Sequence, residues 1–256
     1  MIDYKNKIIC GDCIEIMQKL PHNCIDLVVT SPPYNINIKY DNYNDDLIWD
    51  KYYFWCKKWM KEINRILKDD GRACIIHYLS YGNSQNRQMP IMELNNIAIK
   101  EGLKHYGLAI WWDITLCKKT AWGSWLSASQ PYINSPLEGI LILYKNKIKK
   151  EKEGKTQINK REFMESCGGI WKIKPENNKN IEHPAPFPIE LASRCIKLLS
   201  WENDIVLDPF IGSGTTAIAA KLLNRNYIGM DISHKYCNIA RKRLLQDDLI
   251  TYYDRK

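Results

Sequence analysis

No run of apolar residues in this chain approaches the roughly 20 needed to span a bilayer. The opening residues, Met1-Ile2-Asp3-Tyr4-Lys5, carry no apolar segment of the kind that makes a secretory signal. Both absences lead to the expectation of a cytoplasmic protein with no membrane partner. No internal repeat is visible. No second ligand pair accompanies Cys10-Gly11-Asp12-Cys13, so no metal site is expected. The nine cysteines are odd in number and scattered, which fits reduced, buried thiols better than a disulfide framework. Cys10 and Cys13 read as packing residues around Asp12, with a redox pair as the other reading of their spacing.

What is present is a chain of 256 residues, 45% apolar, long enough for one large domain or a domain with an insertion. Its 37 basic and 29 acidic side chains leave a net charge of +8. A polyanionic partner and a merely lysine-rich surface both account for that balance. Short apolar runs alternate with helical periodicity, which is the pattern of an α/β fold. Strands are expected at 7–10, 25–30, 72–79, 106–114, 139–144, 205–207 and 227–230. Helices are expected at 50–67, 92–103, 189–199 and 234–245. The polar stretch 35–46 reads as a mobile surface loop. The strands at 106–114 and 139–144 should form an antiparallel hairpin in an otherwise mostly parallel sheet.

Two stretches carry chemistry. Asp208-Pro209-Phe210-Ile211-Gly212-Ser213-Gly214-Thr215-Thr216 follows the apolar run Ile205-Val206-Leu207 and precedes a helical Ala217 to Leu223. Strand, glycine turn and helix bring a nucleotide-like ligand against bare backbone. The loop lacks a Gly-Lys-Ser/Thr ending, which argues against a nucleoside triphosphatase. A second apolar run ends in Asp231, 17 residues after Gly214, near the offset at which a carboxylate meets ribose hydroxyls. Upstream, the strand Ile25 to Thr30 runs into Ser31-Pro32-Pro33-Tyr34. Two prolines stiffen that turn and remove two N–H donors, leaving a hydroxyl, carbonyls and an aromatic ring at a strand's C-terminal end. Ligands of open α/β sheets bind at that end.

Ser31-Pro32-Pro33-Tyr34, His183-Pro184-Ala185-Pro186-Phe187-Pro188 and Asp208 to Thr216, in that order, resemble the S-adenosylmethionine-dependent DNA amino-methyltransferases of the permuted beta class. The resemblance spans roughly residues 7 to 245. It implies a Rossmann-like methyltransferase fold with circularly permuted motif order, in which the C-terminal cofactor unit lies beside the N-terminal catalytic strand. It implies that Asp208, Pro209, Phe210, Gly212, Ser213, Gly214, Thr215 and Thr216 surround the cofactor's methionine end. Asp231 would take the ribose and Asp12 would sit near the adenine. Asp12 and Asp231 also read as turn or helix-cap residues. The resemblance implies that His183, Pro184, Ala185, Pro186 and Phe187 line the cofactor pocket, with a rigid linker over His183 to Pro188 as the other reading. The implied arrangement is residues 1–144 as the catalytic part, 145–176 as a target-recognition insertion, and 177–256 as the cofactor part.

An exocyclic amine on cytosine or adenine is a poor nucleophile, because its lone pair is delocalised into the ring. Drawing both amine hydrogens into hydrogen bonds localises that pair, and Ser31 Oγ and the Pro32 carbonyl are the natural acceptors. The Tyr34 ring, rather than its hydroxyl, would stack on the flipped base. Methyl transfer to carbon 5 needs a cysteine nucleophile, which in that family follows a proline; no Pro-Cys pair exists here. Within the resembling family a leading Ser commonly goes with N4 of cytosine, and Asp or Asn commonly with N6 of adenine. Ser31 thus points to cytosine, with adenine as the alternative.

Lys118, Lys119, Trp122 and Trp125 read either as contacts to the flipped base and phosphate or as packing of the hairpin. Residues 145–162 carry eight basic and three acidic side chains. Their lysines, Lys147, Lys149 and Lys150 among them, read either as phosphate contacts or as a solvated loop. The implied partner is double-stranded DNA; a cognate restriction endonuclease and a second copy of the chain stand as further expected partners. Competing readings are a protein or RNA amino-methyltransferase and a DNA-binding module without catalysis.

Overall fold

The computed structural model describes residues 4–82, 86–113, 123–133, 137–175, 184 and 186–246. The N-terminal half holds β1 (Lys7–Cys10), α1 (Cys13–Gln18), β2 (Ile25–Thr30), α2 (Trp49–Ile66), β3 (Leu67–Tyr78), β4 (Tyr81–Gly82) and β5 (Arg87–Gln88). It continues through α3 (Pro90–Lys100), β6 (Lys104–Trp112) and β7 (Glu138–Tyr144). Then follow α4 (Lys160–Cys167), β8 (Ile170–Lys172), α5 (Ile189–Leu199), β9 (Ile205–Asp208), α6 (Thr215–Leu222), β10 (Asn226–Asp231) and α7 (His234–Leu244). No helix among the described residues is long and apolar enough to cross a membrane.

β2 is buried at all six positions, as a central strand covered on both faces must be. Eight strands form one sheet in the order β1-β10-β9-β2-β3-β7-β6-β8. β7 runs against both neighbours, and the other pairings are parallel. The expected hairpin is therefore present as β6–β7. Strand residues alternate between the two faces. Val206, Ile140 and Ile142 pack with α5, α6 and α7, whereas Leu207, Leu141 and Leu143 pack with α1, α2 and α3. On α2, Tyr52, Cys56, Trp59, Met60, Ile63 and Ile66 recur at helical spacing and are fully buried. Each large apolar side chain among them contributes about 1.5 to 3 kcal/mol by leaving water.

Three expectations change on inspection. The stretch 35–46 is anchored: buried Asp45 accepts from the backbone N–H groups of Asn35, Ile36 and Ile38, at 2.7, 3.0 and 3.1 Å. Ser233 Oγ also donates to Asp41 at 2.7 Å, tying the stretch to the start of α7. Cys13 is buried but Cys10 is exposed, so only Cys13 packs as expected. Residues 145–176 are divided. β8 extends the sheet beside β6, while 145–157 runs under the N-terminal ends of the parallel strands. There the N–H groups of Asn146 and Lys147 donate to the Asp69 carbonyl at 2.9 and 2.8 Å, and Glu202 N–H donates to Lys155 O at 3.0 Å.

Candidate active site

β2 and β9 are parallel neighbours, with Leu27 beside Val206 and Val28 beside Leu207. Their C-terminal ends, Thr30 and Asp208, therefore finish side by side. Asp208 Oδ1 accepts from Thr30 Oγ1 at 2.7 Å and from Phe210 N–H at 3.0 Å; Oδ2 accepts from Thr216 Oγ1 at 2.6 Å. Burial pushes the Asp208 carboxyl up to about 6, against the pull of these donors. Asp208 and Thr216 thus brace the glycine turn from behind.

The turn itself depends on left-handed backbone. Gly212 has φ 49° and Gly214 φ 92°. A Cβ on Gly214 would also lie 2.9 Å from the Ala240 Cβ on α7. Gly212 N–H donates to Asp231 Oδ2 at 2.9 Å, and Ser233 N–H donates to Asp231 Oδ1 at 2.8 Å. Asp231 consequently holds the loop as well as facing the cleft. Burial moves its carboxyl above the usual range. β1 lies beside β10, which sets Gly11 and Asp12 next to Asp231. Asp12 caps α1, its Oδ1 accepting from Ile14 and Glu15 N–H at 2.8 and 3.1 Å.

A cavity of about 310 Å³ joins this loop to the Ser31–Tyr34 turn, within the range of small-molecule sites. Asp12, Gly212, Ser213, Thr215 and Asp231 line it together with Ser31, Pro32, Pro33, Tyr34, Pro186 and Phe187. Pro209 and Phe210 also face it, with Phe210 packed on Trp55 and Trp59 at ring distances of 5.4 and 5.6 Å. Asp208, Gly214 and Thr216 stand one layer back from this lining, and Pro184 is outside it. His183 and Ala185 lie outside the described residues. Two carboxylates, bare loop backbone and flanking aromatic rings suit a ligand with ribose hydroxyls, a purine and a cationic end.

In the Ser31–Tyr34 turn Ser31 Oγ donates to Tyr34 Oη at 2.9 Å, and Tyr34 Oη donates to Glu138 Oε2 at 2.5 Å. One Tyr34 ring face stacks on His77 at 4.3 Å. Tyr52 Oη donates to the Pro33 carbonyl at 2.7 Å and lies 3.0 Å from His77 Nε2. A phenol has one hydrogen, so His77 Nε2 carries the proton and donates to Tyr52. Burial lowers His77 to about 3, so the ring is neutral. Burial and the Glu138 carboxylate hold Tyr34 well above the ordinary phenol range, so it remains a donor. The hydroxyl of Tyr34 therefore has a task that the sequence did not indicate. Glu138 was missed as well; its signal is a lone acidic residue opening the apolar strand Glu138 to Tyr144.

The expected DNA contacts separate into two regions. β7 carries Glu138 opposite Tyr78 and Tyr144 opposite Arg72, so residues after Tyr144 leave from the end of the sheet away from Ser31. Lys147 pairs with Glu151, and Lys149 is exposed on the same side. The Lys150 ammonium is turned inward onto Asp204 at 3.0 Å, with its side chain 6% exposed. Lys147 and Lys149 thus lie at the sheet end away from Ser31, and the Lys150 ammonium is occupied by Asp204. β6 ends and β7 begins at the cleft end instead, where Trp111 faces Glu138. Within the segment joining them Trp125 is 71% exposed and Leu126 89% exposed. Lys118, Lys119 and Trp122 lie outside the described residues.

Comparison with known proteins follows the same lines. The family model for DNA methylases of the N6/N4 type matches residues 25–242. The chain is 30% identical over 250 residues to the type II methyltransferase M.HpaI of Haemophilus parainfluenzae, covering 93% of this chain and 74% of that protein. It is 37% identical over 164 residues to M.MjaVI of Methanocaldococcus jannaschii, covering 64% of this chain and 84% of that protein. Among solved structures, a DNA modification methylase from Thermus thermophilus, complexed with S-adenosyl-L-methionine, superposes with a TM-score of 0.74. It is 24% identical, with 93% of each chain covered. The cytosine-N4-specific PvuII DNA methyltransferase superposes with a TM-score of 0.71 at 20% identity, covering 97% of this chain and 91% of that one. The match over most of the chain, on a fold that sets the Ser31–Tyr34 turn beside the glycine loop, makes this protein a member of the N6/N4 DNA methylase family.

Proposed function

We propose that the protein methylates the exocyclic N4 amine of cytosine in double-stranded DNA, as the modification partner of a restriction endonuclease. S-adenosyl-L-methionine bound between Asp12, Asp231 and the glycine loop supplies an electrophilic sulfonium methyl. The observation that carries the reading is the Ser31 hydroxyl at the cleft. It donates its hydrogen to Tyr34 at 2.9 Å, so its lone pairs are available to accept from an amine. The Pro32 carbonyl is the natural second acceptor. The Tyr34 face opposite His77 is the platform for the flipped base, and such stacking is worth about 1 to 3 kcal/mol. On this reading the β6–β7 segment, with Trp125 and, by sequence, Lys118, Lys119 and Trp122, meets the target DNA.

The test is to methylate plasmid DNA with the purified protein, digest it to nucleosides, and identify the modified base by mass spectrometry and its context by sequencing. N4-methylcytosine is the expected product. N6-methyladenine would overturn the choice of base while leaving the amine chemistry in place.

A further inference from the structure

We infer that Glu138 is a positioning residue for the methyl transfer: it ends a hydrogen-bonded chain, Ser31 to Tyr34 to Glu138, that aims the Ser31 lone pairs at the substrate amine and receives the proton the amine releases. The inference rests on amine methylation in this cleft but not on which base is modified.

The geometry sets the direction of the chain. Tyr34 has one hydroxyl hydrogen, and a carboxylate oxygen at 2.5 Å claims it. Tyr34 oxygen is then an acceptor, and Ser31 Oγ at 2.9 Å points its own hydrogen there. What Ser31 offers the cleft is therefore lone pairs. Without an acceptor at the far end, both hydroxyls are free to rotate, and Ser31 is as able to point a hydrogen at the substrate as to accept one.

The same chain carries a proton outward. As the nitrogen–carbon bond forms and the sulfur–carbon bond breaks, positive charge passes from sulfur to nitrogen. The nitrogen sheds one proton to Ser31 Oγ. The Ser31 hydroxyl proton moves to Tyr34 oxygen, and the Tyr34 proton moves to Glu138. Ser31 and Tyr34 each lose and gain one proton, so among this chain's groups only Glu138 changes charge, from carboxylate to carboxylic acid, as the positive charge of the sulfonium is lost. Recovery requires Glu138 to return that proton to solvent.

The surroundings suit such an acceptor. Glu138 sits across from Tyr78 on β3 and Trp111 on β6, with Tyr34 facing it from the catalytic turn. Asp113, just past β6, adds a negative charge. His77, behind the Tyr34 ring, is neutral. Burial first, and the Asp113 charge, push Glu138 up to about 7, while the Tyr34 hydrogen bond opposes them. A proton acceptor works best with its titration near the working pH. A carboxylate serving only as a strand-end anchor has no need of that tuning or of a partner in the catalytic turn.

The experiment is single-turnover methylation of duplex DNA across about pH 6 to about pH 8.5, with cofactor affinity measured on each protein by calorimetry. For the wild type the rate should rise through about pH 7 and then level. Glu138→Gln keeps the size and an acceptor oxygen but removes the titrating carboxylate. It should lose roughly 10²-fold in rate at high pH and show a flat profile, with unchanged cofactor affinity. Tyr34→Phe keeps the stacking ring and Glu138 but cuts the chain, and it should show a similar loss and the same flat profile. Retention of the wild-type rate and acid limb by Glu138→Gln overturns the proposal. If that variant does not fold, Tyr34→Phe decides alone, and a Tyr34→Phe enzyme with the wild-type profile overturns it equally. Absence of any methylated base with the wild type would instead sink the amine-methylation reading on which the inference rests.

Discussion

Thr30 Oγ1 donates to Asp208 Oδ1 at 2.7 Å, joining residues 178 positions apart in the chain. One closes the strand that leads to Ser31, and the other opens the glycine loop. The bond sets the spacing between Ser31 and the glycine loop. Thr30→Val keeps the shape but leaves Asp208 Oδ1 short of a buried donor, a loss of about 1 to 3 kcal/mol in stability. Both cofactor affinity and methylation rate should fall, because the two turns lose a shared anchor. Calorimetry and single-turnover kinetics on the folded variant check this; wild-type values for both would show that the spacing is held by other contacts.

Asp231 faces the cleft and also holds Gly212 N–H at 2.9 Å. Asp231→Ala should weaken S-adenosylmethionine binding by about 1.5 to 3 kcal/mol, the scale of lost hydrogen bonds to a charged group. Titration calorimetry without DNA measures it directly. Unchanged affinity in a folded Asp231→Ala protein removes this residue from the cofactor site.

Ser31→Ala deletes one acceptor but spares the Pro32 carbonyl and the Tyr34 ring. Single-turnover methylation should drop by about 10²- to 10³-fold, the range for one preorganised transition-state hydrogen bond. Cofactor affinity should stay as it was. A full-rate Ser31→Ala enzyme would contradict the role given to the hydroxyl.

Salt dependence separates the two basic regions. Each phosphate contact contributes about 0.9 to the slope of log K against log salt. Lys118→Ala with Lys119→Ala should lower that slope by nearly 2 if both lysines meet phosphate. Lys147→Ala with Lys149→Ala should leave it unchanged, because they lie at the other end of the sheet. Lys150→Ala should reduce stability by about 1.5 to 3 kcal/mol, since it strips Asp204 of its buried partner, and should leave DNA affinity alone. A slope that responds to Lys147 and Lys149 would move the DNA to that face.

The buried carboxyls set the pH dependence of stability. Asp208 is raised from 3.8 to about 6, and Glu138 from 4.5 to about 7. Between these limits the folded protein binds more protons than the unfolded chain, so stability declines as pH rises. Their contribution is complete below about pH 4 and gone above about pH 7. Thermal midpoints of the cofactor-free protein should fall across that window, and Glu138→Gln should flatten its upper part. An equally steep fall in Glu138→Gln would trace the decline to other groups.

Much of this was written in local patterns. Apolar period and turn chemistry were enough to place α5 at 189–199 and the strand–turn–helix around Gly212 and Gly214, because helix spacing and left-handed glycine turns are set by neighbouring residues. Ser31-Pro32-Pro33-Tyr34 announced itself for the same reason: two prolines stiffen a turn in any context. The pairing of β2 with β9, which makes a single site from the two halves of the chain, was reached only through resemblance to other proteins.

The chain alone left other points open, and these were settled by packing across long separations. Glu138 meets Tyr34 over 104 positions, and no local period links an acidic strand start to a tyrosine in a distant turn. The basic run after Tyr144 read either as phosphate contacts or as a solvated loop, because charge is visible in sequence whereas direction is not. An antiparallel β7 delivers that run to the opposite end of the sheet, and Asp204 draws Lys150 inward. Residue types and their spacing were thus sufficient for the two turns and their chemistry. Which side chains share the cleft depended on strand order and direction, which arise only when the sheet buries both of its faces.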